Sequence, residues 1–151
     1  MRILIAVDFG LFGKAQVEFL RRCKEAAGSH LKVVHVIEPL SWELQPIYPA
    51  IMTISDALLK QRWEAGEQLI DGVVSSLKDF TAEDLIEIEL REGNPADEIL
   101  KSADEWSADV IMVGSHGRRG LEKLLLGSIS NIVSSQAKCS VLIAKRQPEE
   151  I

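Results

Sequence analysis

Residues 110–128 read VIMVGSHGRRGLEKLLLGS. The apolar run Val110–Val113 stops at Gly114, glycines then stand at every third position as far as Gly120, and the pair Gly127-Ser128 opens a segment with helical spacing. A short apolar run bounded by glycine predicts a buried strand. A buried strand that leads through a glycine loop into a helix is typical of an α/β domain.

The rest of the chain repeats this alternation of strand and helix. Helical spacing covers roughly residues 14–27 and 54–77, a segment opened by Asn94 and Pro95, and a segment from about Ser128. The connections are long enough for crossovers, which predicts a parallel sheet with helices on both faces. The predicted strands are Ile3–Val7, Lys32–Ile37, Ile86–Arg91, Val110–Val113 and Val141–Ala144.

The pattern within each strand predicts its place in the sheet. In the third strand Ile86, Ile88 and Leu90 alternate with charged residues, so we expect an edge strand with one face partly wet. The first and fourth strands are almost wholly apolar and are expected at the centre.

Two of the helices have clear boundary signals. Asn94 as N-cap and Pro95 at the first helical position predict the start of the third helix, which should turn Ile99, Leu100, Ala103 and Trp106 inward. The first helix is expected to turn Ala15, Phe19, Cys23 and Ala26 inward and to stop at Gly28.

Length and composition predict a single domain over residues 1–151. A net charge of −6, from 17 Lys and Arg against 23 Asp and Glu, argues against nucleic acid and anionic membranes as partners. No apolar run approaches the roughly 18 residues of a membrane span, so we expect a cytosolic protein. Cys23 and Cys139 show no metal-ligand spacing and are interpreted as small apolar residues of the core.

Two segments depart from the regular alternation. Residues 39–55 are predicted to form a long irregular loop. Such a loop could serve as a functional lid, but packing of Trp42 and Tyr48 onto the body of the domain is the favoured interpretation. Residues 147–151 are expected to be a frayed tail.

The glycine loop after the fourth strand is the best candidate for a binding site. Glycines let another group approach the backbone, and successive N–H groups beside a helix start bind anions such as phosphate. The loop also carries Arg118, Arg119 and Lys123 against Glu122 alone, a local charge of +2. Neither GxxxxGK[ST] nor GxGxxG is present, and glycines that merely serve turns and helix packing remain an equal alternative on this evidence.

Several motifs together make the chain resemble the universal stress protein family, in its ATP-binding subgroup. Gly114, Gly117, Gly127 and Ser128 match the family signature G-2x-G-9x-G-[ST]. Residues 94–100 resemble the family's G-[DN]-P-A-x-x-I-[LV] helix start, residues 114–120 its [ST]-H-G-R-x-G loop, and residues 139–143 its C-P-V-L strand. The resemblance covers nearly the whole chain and is weakest from Pro39 to about Ser55.

The resemblance implies a five-stranded parallel sheet in the order 3-2-1-4-5, Rossmann-like, with ATP across the carboxyl ends of strands one and four. By position, Asp8 would meet the ribose or adenine and the backbone near Val36 the adenine. AMP or ADP could take the place of ATP, and Mg²⁺ would be held through phosphates and waters, because no carboxylate pair suggests a dedicated metal site. The remaining residues of the implied nucleotide site are Val113, Gly114, Ser115, His116, Gly117, Arg118, Gly127, Ser128 and Ile129.

The chain departs from the family pattern at two places. Phe9-Gly10 stand after Asp8 where the family usually has Gly-Ser, which removes a hydroxyl and adds a bulky ring beside the implied site. Ser140 replaces the usual proline before the last strand.

Several candidate residues have a structural alternative. Ser128 would serve equally as the N-cap of the last helix, and Arg118 as a solvated loop charge. His116 is favoured as a residue that orders the loop over a general base, because no matched nucleophile is visible. His35 is interpreted as a hydrogen-bonded core histidine, and no catalytic residue is assigned.

The apolar strand Val141–Ala144 would lie at an unprotected sheet edge. Pairing with a second copy would cover that edge, and the resemblance also implies a homodimer there. The favoured function is a nucleotide-dependent regulatory protein of the stress response. The alternatives are a slow ATPase or nucleotidyl-transfer enzyme, and a structural or chaperone-like dimer that binds no nucleotide.

Overall fold

The computed structural model describes residues 1–10, 12–23, 26, 28–39, 49–79, 81–115 and 127–145, and for positions 12 and 49–55 it describes the backbone alone. Strands and helices alternate through these ranges. The strands are β1 (Arg2–Ala6), β2 (His30–Ile37), β3 (Ile86–Glu92), β4 (Val110–Gly114) and β5 (Ser140–Ala144). The helices are α1 (Phe12–Arg22), α2 (Pro49–Leu77), α3 (Pro95–Trp106) and α4 (Ser128–Gln136), and a 3₁₀ turn, Glu83–Leu85, precedes β3.

The strands form one parallel sheet in the order β3-β2-β1-β4-β5. This confirms the predicted α/β class and strand order. The edge position of β3 is also confirmed, as are the interior positions of β1 and β4. In the middle strand, Ile5 lies level with Val33 of β2 and Met112 of β4.

The two faces of the sheet bury separate hydrophobic clusters. Successive β1 residues alternate between them, because side chains along a strand point to opposite faces. Ile3 and Ile5 pack on the α1 and α2 side, and Leu4 packs on the α3 and α4 side. Cys23 and Cys139, both free thiols, pack against opposite clusters.

The start of α3 is as predicted. The Asn94 side chain accepts hydrogen bonds from the backbone N–H groups of Ala96 and Asp97, with Pro95 in the first turn. Ile99 and Ala103 are buried, and Leu100 and Trp106 pack against the same cluster. Gly93, just before the cap, has φ +149°, and a Cβ there would lie 2.9 Å from Glu98 Cγ.

Of the residues predicted to turn inward from the first helix, Cys23 and Ala26 pack in the core, but the prediction for Phe19 is wrong. The buried positions include Gln16, Val17 and Leu20, whereas Phe19 is 39% exposed. Gln16 takes an inward position because two backbone carbonyls, described below, need its amide. The helix also ends at Arg22, well before Gly28, although Gly28 does have the left-handed φ of +75°.

Helix α2 begins earlier than predicted. It starts at Pro49, so residues 49–55 are helical and the predicted irregular loop over 39–55 is wrong in that part. Proline suits a first helical turn because its fixed φ is already helical and its missing N–H has no role there. Trp42, Tyr48 and the tail over 147–151 lie outside the described residues. No helix in the described ranges has both the length and the apolar character that crossing a bilayer requires.

Both faces of β3 are partly packed: Ile86 and Leu90 pack against the core cluster on the α1 and α2 side, and Arg91 packs on the other face. Arg91 is largely buried and forms ion pairs with Glu89, Glu98 and Glu105. Ile88, on the opposite face, is 61% exposed. The expected partly wet charged face is therefore packed around Arg91, because α3 brings carboxylates that neutralise it, and Ile88 alone is exposed on the apolar face.

Candidate functional site

A crevice opens where β1 and β4 end side by side. The chain continues from β1 toward the β2 side and from β4 toward the β5 side, and this divergence is where open parallel sheets bind ligands. The crevice has a volume of about 140 Å³. The described residues that line it are Ala6, Val7, Asp8, Gln16, Val34, His35, Val36, Glu38, Pro95, Ile99, Val113, Gly114, Gly127, Ser128, Ile129 and Ser130.

Most of the predicted site residues line this crevice. Ser115 is buried, at 3% exposure, and is not one of the lining residues. His116, Gly117 and Arg118 lie outside the described residues. The predicted residues that the crevice brings together are Asp8, Val36, Val113, Gly114, Gly127, Ser128 and Ile129.

Asp8 stands at the β1 end of the crevice. The backbone N–H of Gly10 donates a hydrogen bond of 2.9 Å to Asp8 Oδ1, which fixes the carboxylate against its own loop. Among the described residues no donor reaches Oδ2 of Asp8. Since an ionised carboxylate only accepts hydrogen bonds, this oxygen suits a ligand that carries a hydroxyl or amino donor.

The floor of the crevice is held by Gln16, which the sequence analysis missed. Its side-chain amide donates to the carbonyl oxygens of Ala6 at 2.9 Å and Met112 at 3.3 Å. Gln16 is 1% exposed, so it fastens the diverging ends of β1 and β4 inside the protein. A glutamine four residues before Leu20 on an otherwise apolar helix face was the available signal.

His35 lies beneath the β2 side of the crevice. Its Nδ1 is 2.8 Å from the carbonyl oxygen of Val7, so Nδ1 carries the proton and donates it to that bond. The side chain is 3% exposed. The interpretation of His35 as a hydrogen-bonded core histidine is confirmed, and the structure adds that it lines the crevice.

The opposite end of the crevice is formed by the start of α4. The N-cap is Gly127, so the interpretation of Ser128 as N-cap is wrong, and no side chain in the part of the chain that the structure describes caps the helix. A helix start leaves backbone N–H groups without intrahelical acceptors, which gives this end of the crevice a positive character. Ser130, also missed from the sequence, is 2% exposed and turns its hydroxyl back to the Gly127 carbonyl at 2.9 Å.

The two ends of the loop between β4 and α4 meet at the crevice. The N–H of Gly127 donates to the carbonyl oxygen of Ser115 at 2.8 Å, and the N–H of Ser115 donates to Ala144 of β5 at 3.0 Å. The buried Ser115 is thus a junction between β5 and the helix start. The predicted role of Ser115 in nucleotide binding stays a prediction.

The crevice therefore has two chemically different ends. Carboxylates of Asp8 and Glu38 lie on the β1 and β2 side, and the uncapped helix start lies on the β4 side. Pro95 and Ile99 add an apolar wall. Within the described ranges no three His, Cys, Asp or Glu side chains gather as a metal-binding group. A ligand with donors at one end and an anion at the other is complementary to this arrangement.

Comparison with known proteins points to one family. A model described as the universal stress protein family matches residues 1–145. The chain is 30% identical over 153 residues to Universal stress protein Sll1388 of Synechocystis, covering 95% of this chain and 97% of that relative. It is 36% identical over 110 residues to Universal stress protein MJ0531 of Methanocaldococcus jannaschii, covering 73% of this chain but only 56% of that relative.

Solved structures share the fold. The structure of MJ0577 from Methanocaldococcus jannaschii matches with a TM-score of 0.80 at 23% identity, over 98% of this chain and 97% of the other. A universal stress protein family member from Arabidopsis thaliana, solved with AMP bound, matches with a TM-score of 0.63 at 19% identity, over 99% and 94%. A universal stress protein in complex with cAMP matches with a TM-score of 0.56 at 22% identity, over 96% of each chain.

Proposed function

Because this chain belongs to the universal stress protein family, we propose that it binds an adenine nucleotide in the crevice between β1 and β4 and acts as a nucleotide-dependent regulatory protein of a stress response. The observation that carries the proposal is that Asp8 and the uncapped start of α4 lie at opposite ends of the same crevice. Family members solved with AMP and with cAMP support the same ligand class.

The proposed orientation follows from the chemistry of the two ends. The phosphates lie at the start of α4, where N–H groups and the helix dipole favour anions. The ribose or base lies toward Asp8 and the backbone of Val36, which accept and donate hydrogen bonds. Gly117, Arg118 and His116 belong to this proposal through the family motif alone, with Arg118 proposed as a cation that binds the phosphates.

We assign binding and not catalysis to the described residues. His35 uses Nδ1 on the Val7 carbonyl, and the Ser130 hydroxyl is bonded to the Gly127 carbonyl. Both groups thus hydrogen-bond to backbone carbonyl oxygens of the protein. Mg²⁺, where ATP is bound, is held through the phosphates and waters.

We further propose a cytoplasmic homodimer that pairs through β5. This strand lies at the edge of the sheet, and Val141, Leu142 and Ile143 remain only partly buried in the single chain. An edge strand with this composition presents unpaired backbone groups to a second chain.

The nucleotide proposal is tested with a matched pair of aspartate variants. Asp8→Ala removes the carboxylate from the crevice, whereas Asp71→Ala removes an exposed carboxylate on α2. We expect calorimetry with ATP to show at least a fivefold weaker affinity for Asp8→Ala, since a hydrogen bond to a charged group contributes about 1.5–3 kcal/mol, and no change for Asp71→Ala. If both variants bind ATP as tightly as the unmodified protein, Asp8 does not contact the nucleotide.

A further inference from the structure

A smaller pocket adjoins the nucleotide crevice on its β2 side. It has a volume of about 90 Å³ and shares His35, Val36 and Glu38 with the crevice. Phe9 and Arg62 complete its walls. Because three residues belong to both cavities, a ligand that occupies the crevice at Val36 can extend into this side pocket.

Phe9 is the apolar wall of the side pocket. Its ring meets the His35 ring edge to face, with the centroids 5.0 Å apart and the planes at 80°. This contact fixes the position of the ring on the buried histidine, yet 43% of Phe9 remains exposed. A planar group that covered this exposed surface would gain both apolar burial and aromatic contact.

The opposite wall is the backbone at the end of β2. The guanidinium Nη1 of Arg62, on α2, donates to the carbonyl oxygen of Glu38 at 2.8 Å. The Gly66 position, one turn further along α2, contacts the His35 ring so closely that a Cβ would lie 2.9 Å from Cδ2. Helix α2 thus holds both the β2 end and the histidine on which Phe9 rests.

We propose that Phe9 is a base-recognition residue and that the side pocket receives the purine base of the bound nucleotide. The base packs on the Phe9 ring while its edge lies along the backbone of Val36 to Glu38. This inference rests on the proposed function, because it assumes that the phosphates occupy the start of α4. It goes beyond that function by assigning a base-stacking role to the residue that stands after Asp8.

The magnitude of the effect follows from stacking. A base stacked on an aromatic side chain gains binding free energy that is lost when the ring is removed. Loss of the ring should therefore weaken ATP binding by about tenfold. A ligand without a base should bind equally well with or without the ring.

The test compares Phe9→Leu with Phe19→Leu, using ATP and inorganic triphosphate as probes in calorimetry. Phe19, on α1, is 39% exposed and lines neither cavity, so it matches Phe9 in side chain and exposure. We expect Phe9→Leu to lose about tenfold in ATP affinity with no change for triphosphate. Phe9→Tyr, which retains the ring, should restore ATP affinity, and Phe19→Leu should bind both probes normally.

Two results would overturn the inference while leaving the proposed function intact. One is ATP affinity unchanged within twofold in Phe9→Leu. The other is an equal loss for ATP and triphosphate, which would make Phe9 a structural support of the whole loop. Absence of ATP binding to the unmodified protein would instead contradict the proposed function, and this inference with it.

Discussion

The backbone N–H of Gly127 donates a hydrogen bond of 2.8 Å to the carbonyl oxygen of Ser115. Ser115 directly follows β4 and Gly127 directly precedes α4, so the end of the strand and the start of the helix are held together beside the crevice. Helix α4 begins at the next residue, Ser128, and its first residues line the crevice. No described side chain caps this helix start.

Adding an acidic cap to α4 should raise the stability of the protein and lower its affinity for ATP. Gly127 has φ −58° and ψ 153°, which any residue can adopt. In Gly127→Asp the new carboxylate caps the helix, which adds up to a few tenths of a kcal/mol over glycine. The same charge occupies the proposed phosphate position, so we expect at least a tenfold loss of ATP affinity in calorimetry.

The matched control is Gly127→Asn, which caps without a charge. We expect its ATP affinity to lie clearly above that of the Asp variant. If both variants bind ATP as tightly as the unmodified protein, the start of α4 does not hold the phosphates.

Two glycines of α2 give a second prediction. At Gly72 a Cβ would meet nothing within 4 Å, whereas at Gly66 it would lie 2.9 Å from His35 Cδ2 and 3.1 Å from Leu90 Cδ2. Alanine is favoured over glycine within a helix by about 0.5–1 kcal/mol. We expect urea denaturation to show that gain for Gly72→Ala, and a smaller gain or a net loss for Gly66→Ala.

Gly66→Ala should also weaken ATP binding, because the shifted His35 lines the crevice. Gly72→Ala should leave binding unchanged. Equal stabilisation by the two variants would mean that His35 moves freely, against the packing described above.

The acid sensitivity of the protein should depend on Glu89. Burial raises the pKa of Glu89, but hydrogen bonds from Arg91 and Ser102 and the charge of Lys32 outweigh it, so the pKa lies below the ordinary value of 4.5. A lowered folded-state pKa means that this stabilisation is present above about pH 4.5 and is lost as the pH falls through the lower value.

We therefore expect the free energy of unfolding to fall less steeply below pH 4.5 in Glu89→Gln than in the unmodified protein. Glu18→Gln, at an exposed position on α1, serves as the control and should retain the steep fall. Identical slopes in all three proteins would show that the Arg91 network does not govern acid stability.

The two edges of the sheet offer a test of the proposed dimer. Val141→Lys places a charge on β5, and Ile88→Lys places the same charge on β3, where the side chain is 61% exposed. Charged residues on an edge strand oppose pairing with another chain. In analytical ultracentrifugation we expect the unmodified protein and Ile88→Lys to be dimers and Val141→Lys to be a monomer with an unchanged circular dichroism spectrum. A dimer that is lost only in Ile88→Lys would place the interface at the other edge.

Local sequence signals were sufficient where a single segment decides the structure. The glycine loop, the Asn94 cap and the alternation within β3 predicted the fold, the start of α3 and the edge strand. The resemblance to the family added the strand order and the site residues that line the crevice. These features are encoded in neighbouring residues, so a single chain reveals them.

The missed features depend on contacts between distant segments. Gln16 faces inward because Ala6 and Met112 present their carbonyl groups to it, and Met112 is far away in the sequence. Arg91 is buried because α3 supplies Glu98 and Glu105. Helical or strand periodicity carries no information about such partners, which explains why the buried Gln16 and the packed Arg91 were not predicted.

The central claim is that an adenine nucleotide binds between Asp8 and the start of α4. Its most direct test is a ¹H–¹⁵N correlation spectrum of the labelled protein titrated with ATP. The account predicts saturable shifts of the backbone amides of Asp8, Val36, Gly114 and residues 127–130, with the amide of Ile88 on the far edge unmoved. No shifts at saturating ATP, or shifts confined to residues away from the crevice, would contradict it.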